Sequence, residues 1–563
     1  MFGIRPFGPL PFGAAPVAAD APTIVIAEAQ VVITGEYSVY VSTREFITGS
    51  TDEPARQPFD GTLEQPLRFQ RSINGDGFSG FIQGQGSMVI DNVDGAYDFL
   101  PQFYALDGRD QEVRFGVEGE PYRNWITIFA GTASDFHVDE DSFSVDLQDY
   151  GYKFDVPLQS NTYAGTGGVE GGTDLVGKRK PLAYGYVSNG TPVLVSASVQ
   201  LYQVHDGSLH AIAAVYANGV ALTFGADHPD AASLLSATVG DGYFDTCLAA
   251  GLFRIDFLLD GDVITADIEG DAADGAFVST VSGIVRRIAS RFLQTSSEPV
   301  YELLAWDNDG AGDVPIVWDD EDGNAQFLTW QDPAFRSSAL YEPAFARHAT
   351  QYPFEVGHYF AQDDTSSVAD ALSRIAGYGN FIGFRRDGKL TIGRIGAADG
   401  PPVLRIDRID IMDVRREKLP PGLSPPPWRW KIGYGRNWRV QDSEVAGSVT
   451  ADRRAFLAEE LRYAMAESAA VKNDHPFAQE REVGGYFRDK DDAQTEGNRL
   501  LALFSRSASL YRLTIDERGF GVDVGDTVHV TFPRFDLGNG RSLIVVEINE
   551  DAGLGQTVLL GWG

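Results

Sequence analysis

Ser142-Phe143-Ser144-Val145-Asp146-Leu147-Gln148 decides the fold class. Phe143, Val145 and Leu147 alternate with Ser, Asp and Gln, a period of two that gives a strand one buried face. The pattern repeats outward from this stretch. Upstream are Thr23-Ile-Val-Ile-Ala, Gln30-Val-Val-Ile-Thr, Ser87-Met-Val-Ile-Asp, Val113-Arg-Phe-Gly-Val and Ile126-Thr-Ile-Phe-Ala-Gly-Thr, rich in β-branched and aromatic residues. Downstream, strands are expected at Leu510–Ile515, Thr527–Phe532, Ser542–Ile548 and Thr557–Trp562. Trp428-Arg-Trp-Lys-Ile-Gly-Tyr is another.

Helical spacing is rarer. Val281, Ile284, Val285 and Ile288 form one stripe within a helix expected over 278–292. Val368, Ala371, Leu372 and Ile375 form another, stopped by Gly377. Two more helices are expected, over Ala451–Ala470 and Asp491–Ser505. Asn218-Gly219 and Asp387-Gly388 have the residue types of tight hairpin turns. The fold class that follows is mainly β with minor α (α+β), several β-barrel-like domains with a few packed helices. No repeat of solenoid length is visible.

The chain has 563 residues, 43% hydrophobic and 12% aromatic, enough for several packed cores. Composition breaks suggest five segments. Residues 1–20 read as an extended arm, whose Phe2, Phe7 and Phe12 sit among Pro and Gly. Residues 21–160 read as a first β-rich barrel. Residues 161–302 read as a mixed α/β domain after a Gly-rich linker. Residues 303–420 read as a middle α+β domain with an acidic, Trp-containing segment, and residues 421–563 as a C-terminal β-barrel-like domain with two helices. No secretory leader and no membrane span are expected.

The formal net charge is -35, with 80 acidic and 45 basic residues. Such a surface repels phosphates, which argues against a protein that grips nucleic acid or anionic lipid. One cysteine, Cys247, rules out an intrachain disulfide.

Candidate chemical motifs fail on their details. Gly172-Thr-Asp-Leu-Val-Gly177-Lys178 matches a phosphate-binding loop until its last position, where Arg179 stands in place of the Ser or Thr that holds magnesium. Gly84-Gln-Gly86 lacks a third glycine and a following helix. Cys247 has no nucleophile signature around it and reads as a buried apolar residue. His205 and His210 do not have zinc-ligand spacing, and His529 alternates with Val528 and Val530, facing out of a strand. Asp307, Asp309, Asp313, Asp319, Asp320, Glu321 and Asp322 form an acidic region, but not a calcium loop closed by Glu. Trp306, Trp318, Trp330 and Tyr341 would suit sugar stacking or, more ordinarily, a core. No catalytic, cofactor-binding or metal residue is therefore assigned, no cofactor is expected, and the chain is expected not to be an enzyme.

The segment Asp516-Glu-Arg-Gly-Phe-Gly-Val-Asp-Val-Gly-Asp-Thr-Val-His-Val-Thr-Phe-Pro-Arg-Phe, continuing to Asp551 and ending Thr557-Val-Leu-Leu-Gly-Trp-Gly, resembles the C-terminal part of baseplate or tail-tip hub proteins of long-tailed (siphovirus-type) bacteriophages and related prophage or gene-transfer-agent tails. Those proteins share its layout: Val-Gly-Asp-x-Val, strand, Pro-Arg-Phe, strand, terminal Trp-Gly. Phe129-Ala-Gly-Thr to Asp149-Tyr-Gly-Tyr-Lys-Phe-Asp resembles their first hub barrel. Lys178 to about Asp271, with Lys180-Pro-Leu-Ala-Tyr-Gly and Leu201-Tyr-Gln-Val-His-Asp-Gly, resembles a segment of phage tail proteins.

The resemblance implies a virion structural protein at the tail tip, made in the bacterial host cytoplasm. It implies a ring, most often a homotrimer. Implied partners are the distal tail protein, the tape measure protein and other tip or fibre proteins, with DNA only in passage. The competing expectations are a tail-associated cell-wall or capsule hydrolase and a receptor-binding adhesin.

Overall fold

The structure is a computed structural model. It describes residues 23–32, 36–52, 54–73, 75–256, 262–293, 317–319, 325–327, 339–396, 398, 401–505 and 508–563. Mainly β with minor α is what it shows. The principal element is an open 13-stranded sheet. Its path starts at Glu36–Ser42, runs through Thr23–Val32, Asp110–Val117, Ile126–Val138, Ser142–Gln148 and Gln85–Asp91, and reaches Leu63–Ser72. There it crosses to the far end of the chain. Leu63–Ser72 pairs antiparallel with Arg541–Asp551, which leads to Gln556–Trp562, Leu510–Asp516 and Ile411–Glu417. Thr527–Val530 and Leu404–Ile406 complete it as a side branch. The path does not close, so the expected barrel-like units are parts of one open sheet.

Phe143, Val145 and Leu147 are buried, as their alternation requires, in a core with Met88, Ile90, Val113 and Phe129. At the C-terminal end Val528, Val530, Leu543, Val545, Ile548 and Leu559 form a second core. Two five-stranded sheets lie between in sequence. One contains Leu209–Ala217, Ile264–Asp271 and Leu182–Gly190. The other contains Leu201–Gln203, Leu252–Ile255 and Tyr243–Cys247.

The Gly-rich stretch before them is packed rather than loose. Tyr163 and Leu175 are buried with Leu201, Leu234 and Leu252, and the Tyr163 hydroxyl donates to Gln203 Oε1 at 2.6 Å. Two large side chains are enough to tie down the glycines around them.

The helix Val281–Leu293 buries Val281, Ile284, Val285 and Ile288. Val368–Ala376 begins with a capping box: Ser367 Oγ accepts from the Asp370 N–H at 3.1 Å and Asp370 accepts from the Ser367 N–H at 3.3 Å. The expected hairpin is Asn380–Phe384 with Leu390–Arg394, and Gly388 takes φ 72° in its turn. At Asn218-Gly219 both residues have positive φ, as a type I′ turn needs.

One helix differs. The helix expected over Ala451–Ala470 stops at Ala458, and Arg462–Glu467 is a strand paired with Arg429–Tyr434. Ala464 and Ala466 lie opposite Ile432 and Trp430. Their small side chains admit the helix Lys490–Phe504, which brings Gly497 against Ala466. Tertiary pairing overrides the helical preference of the alanines. Trp430 fills the space between, stacked on Phe504 with ring centroids 5.6 Å apart, and Trp562 lies 5.8 Å from the same Phe504. None of the described helices is long and apolar enough to cross a membrane.

Ser367→Ala removes an oxygen that satisfies a helix-terminal N–H. We expect it to cost about 1 kcal/mol in urea denaturation, with Ser367→Asp restoring most of the loss.

Candidate functional site

Where the two ends of the chain meet, the strands Leu63–Ser72 and Arg541–Asp551 pair with Arg71 opposite Ile548 and Phe69 opposite Glu550. Arg71 is in phase with Leu67 and Phe69, so its side chain points into the interior. It is only 2% exposed. Its guanidinium donates to Asp523 Oδ1 at 2.9 Å and to Glu550 Oε2 at 2.8 Å. Both carboxylates are buried too.

The loop that carries Asp523 is shaped by Gly525, whose φ is +90°. A side chain there would strike the Phe381 ring. This close turn sets the Asp526 carboxylate to accept from the Asp523 N–H at 2.9 Å. Gly525 and Val545 clamp the loop to the long strand: the Gly525 N–H donates to the Val545 carbonyl at 2.7 Å and the Val545 N–H to the Asp526 carbonyl at 2.9 Å.

A third element enters from the middle of the chain. Arg385, in the Asp387-Gly388 hairpin, lies 2.9 Å from Asp523 Oδ2. The Arg386 N–H donates to Asp523 Oδ1 at 3.1 Å, and its guanidinium donates to the Phe520 carbonyl at 2.9 Å. Phe520 packs edge-on against Phe115 of the N-terminal strands at 5.2 Å. Asp523 is thus held by three sequence-distant arginines.

Burial pushes the Asp523 carboxyl up, but Arg385, Arg386 and Arg71 outweigh it and hold it below the ordinary carboxylate range. Glu550 goes the other way. Burial raises it to about 7 against the pull of Arg71, and Asp523 adds to the rise. Asp149 is raised by burial to about 6, although it accepts from the Gly84 N–H at 2.5 Å and the Gly151 N–H at 2.8 Å. Asp526 is also raised, by burial and then by Asp523. Chemically this is a joint: its carboxylates face guanidiniums rather than a cleft.

Of the other sequence candidates, Gly84 and Tyr341 touch this joint and the remaining described ones fall elsewhere. Gly84 belongs to this joint as a backbone donor to Asp149. Gly172–Gly177 lies in the packed Gly-rich loop, where the Arg179 side chain donates to the Asp364 carbonyl at 2.5 Å. Cys247 is buried among Leu201, Leu234 and Leu252, and burial pushes its thiol up. His205 is buried, its Nδ1 accepting from the Ala183 N–H at 3.0 Å and its Nε2 3.4 Å from Asp271. It therefore orders a strand junction. His210 stacks on Phe277. His529 is half-buried and lies 3.3 Å from Ser542 Oγ.

One face of the half-buried Tyr341 ring is covered by the Arg385 guanidinium at 4.0 Å, so it braces the joint. Trp306, Trp330 and all the singled-out acidic residues of 307–322 except Asp319 lie outside the described residues, and Trp318 and Asp319 are described only in their backbone. Among the described residues no group of three or more His, Cys, Asp or Glu is arranged to hold a metal ion. A surface groove near the joint, lined by Ser72, Ile73, Asp76, Phe78, Pro420 and Leu510, holds two carboxylates. Each has a cation: Asp76 pairs with Arg481, and Glu547 with Arg512 at 3.0 Å.

No family model matches the chain, and no curated protein matches it. Solved structures are similar in outline. A tail protein from Neisseria meningitidis matches with TM-score 0.39 and 10% identity over 96% of each chain. The 43 kDa tail protein of prophage MuSo2 from Shewanella oneidensis matches with TM-score 0.36 and 8% identity, over 96% of this chain and 98% of that one. A chain of the virion of a native gene transfer agent particle matches with TM-score 0.38 and 14% identity, over 73% of this chain and 91% of that one.

Sequence reasoning missed Arg71. Its signal was a charged residue on the apolar phase of a strand. Arg71→Met leaves Glu550 and Asp523 buried with one cation fewer, and near pH 8 we expect a loss of about 3–5 kcal/mol in urea denaturation. A loss within the scatter of a surface substitution would show that the joint does not hold the sheet.

Proposed function

We propose that the chain is a structural hub of a long-tailed phage tail tip or baseplate, in which copies of the chain form a ring, most simply a homotrimer, and that it catalyses no reaction. One observation carries this reading. The residues that bear the sequence resemblance, Val522 to Val530 and the terminal Trp562, are those that join the C-terminal strands to the N-terminal ones. Gly525 makes the turn, Asp523 takes Arg71, and Trp562 packs between Phe504 and Phe78. A layout tied to a hub family thus coincides with the mechanical seam of this molecule.

In this reading the segments 21–160 and 421–563 act together as the hub body. The segments 161–302 and 303–420 are carried on it. The partners are the distal tail protein above, the tape measure protein within, and other tip or fibre proteins. DNA passes without being bound, because a net charge of -35 repels phosphates. The place of action is the virion, after synthesis in the host cytoplasm.

The test is the mass and shape of the purified full-length chain. Light scattering and negative-stain imaging are expected to give a closed ring of three copies. A stable monomer at micromolar concentration would contradict the proposal.

A further inference from the structure

The joint contains more acid than base. Arg71, Arg385 and Arg386 face Asp149, Asp523, Asp526 and Glu550, three guanidiniums to four carboxyls. Glu550 lies completely out of solvent. Its Oε2 meets Arg71, but its Oε1 has no partner. Arg71 Nε is also unpartnered, and so is the hydroxyl of Thr557, the residue opposite Glu550 on the next strand. Buried ionised groups need a full set of partners. A cluster short of positive charge and leaving a carboxylate oxygen bare meets that need by keeping a proton.

We propose that this cluster is a proton-dependent latch: with Glu550 protonated the N- and C-terminal strands are locked together, and loss of that proton loosens their seam. The inference is independent of the tail-tip reading. Every packed neighbour supplies its charge to the balance. From Leu63–Ser72 comes Arg71, and from the loop after Phe520 come Asp523 and Asp526. The 385–388 hairpin adds Arg385 and Arg386 together with Asp387, 3.9 Å from Arg385, and the turn at Asp149 adds that carboxyl with Asp155 nearby. Gln556–Trp562 adds no charged side chain.

The sign follows from linkage. Glu550 and Asp149 are easier to protonate in the folded chain than in the unfolded one. Their contribution is complete at low pH and is lost as pH rises through about 6 for Asp149 and about 7 for Glu550. Asp523 behaves oppositely, contributing above the ordinary carboxylate range and losing that contribution only in strong acid. The latch is therefore tightest in mild acid, weakens as pH rises toward neutrality and is fully loosened above it.

The experiment is urea unfolding of the full chain and of Glu550→Gln between pH 5 and pH 9. The variant copies the protonated form. We expect the folding equilibrium constant of the wild type to fall relative to Glu550→Gln by about tenfold per pH unit from pH 5 to neutrality, and to level off above it. A variant less stable than wild type by a constant factor at every pH would overturn the proposal, since Glu550 would then be an ordinary ionised partner of Arg71. Infrared difference spectra of the wild type, pH 5 minus pH 8, decide the matter even if the variant folds poorly. A buried carboxylic-acid carbonyl band is expected at pH 5 and its absence would refute the latch.

Discussion

A guanidinium buried between two carboxylates from the opposite end of the chain is the constraint on which the architecture turns. Arg71 cannot leave its site without stranding Asp523 and Glu550, and neither can leave without stranding Arg71. The strand that carries Arg71 is thereby fixed in register against Arg541–Asp551. A slip by one residue would put a charge into the apolar core and expose Phe69. Hydrophobic burial supplies most of the stabilisation on either side of the seam. The ion cluster supplies its specificity, because an apolar seam of the same area would tolerate neighbouring registers.

The hairpin arginines extend this logic to the middle of the chain. From the Asp387-Gly388 turn Arg385 reaches Asp523 with its guanidinium and Arg386 with its backbone N–H. Tyr341 stacks on Arg385, and Phe520 braces Phe115. Three sequence-distant parts of the molecule therefore share one carboxylate. Such a junction makes the two ends of the chain and its middle hairpin a single mechanical unit.

Much of the fold was legible because its signals are local. Phe143, Val145 and Leu147 announce their strand by alternation, and Val368 to Ile375 their helix by spacing and by the Gly377 stop. The segment after Ala458 was not legible. Ala464 and Ala466 prefer a helix in isolation and are strand residues only because Trp430 and Ile432 offer a partner. The joint was hidden for a similar reason. Arg71 and Glu550 each break the apolar phase of a strand, a sign that a charge is buried. Their pairing spans almost the whole chain, and no single-sequence pattern links them. Tyr341 illustrates another case: its aromatic character suited a core more than a sugar, and the fold uses it to support an arginine.

The most direct test of this account is native-state hydrogen exchange of the unmodified protein, followed amide by amide. The account predicts that the amides of 65–72 and those of 545–551 exchange through one shared opening, with equal free energies and equal dependence on denaturant. Exchange of 65–72 at a much lower opening free energy, while 545–551 stays protected, would mean that the N-terminal strands are not held by the charge cluster and would contradict the account.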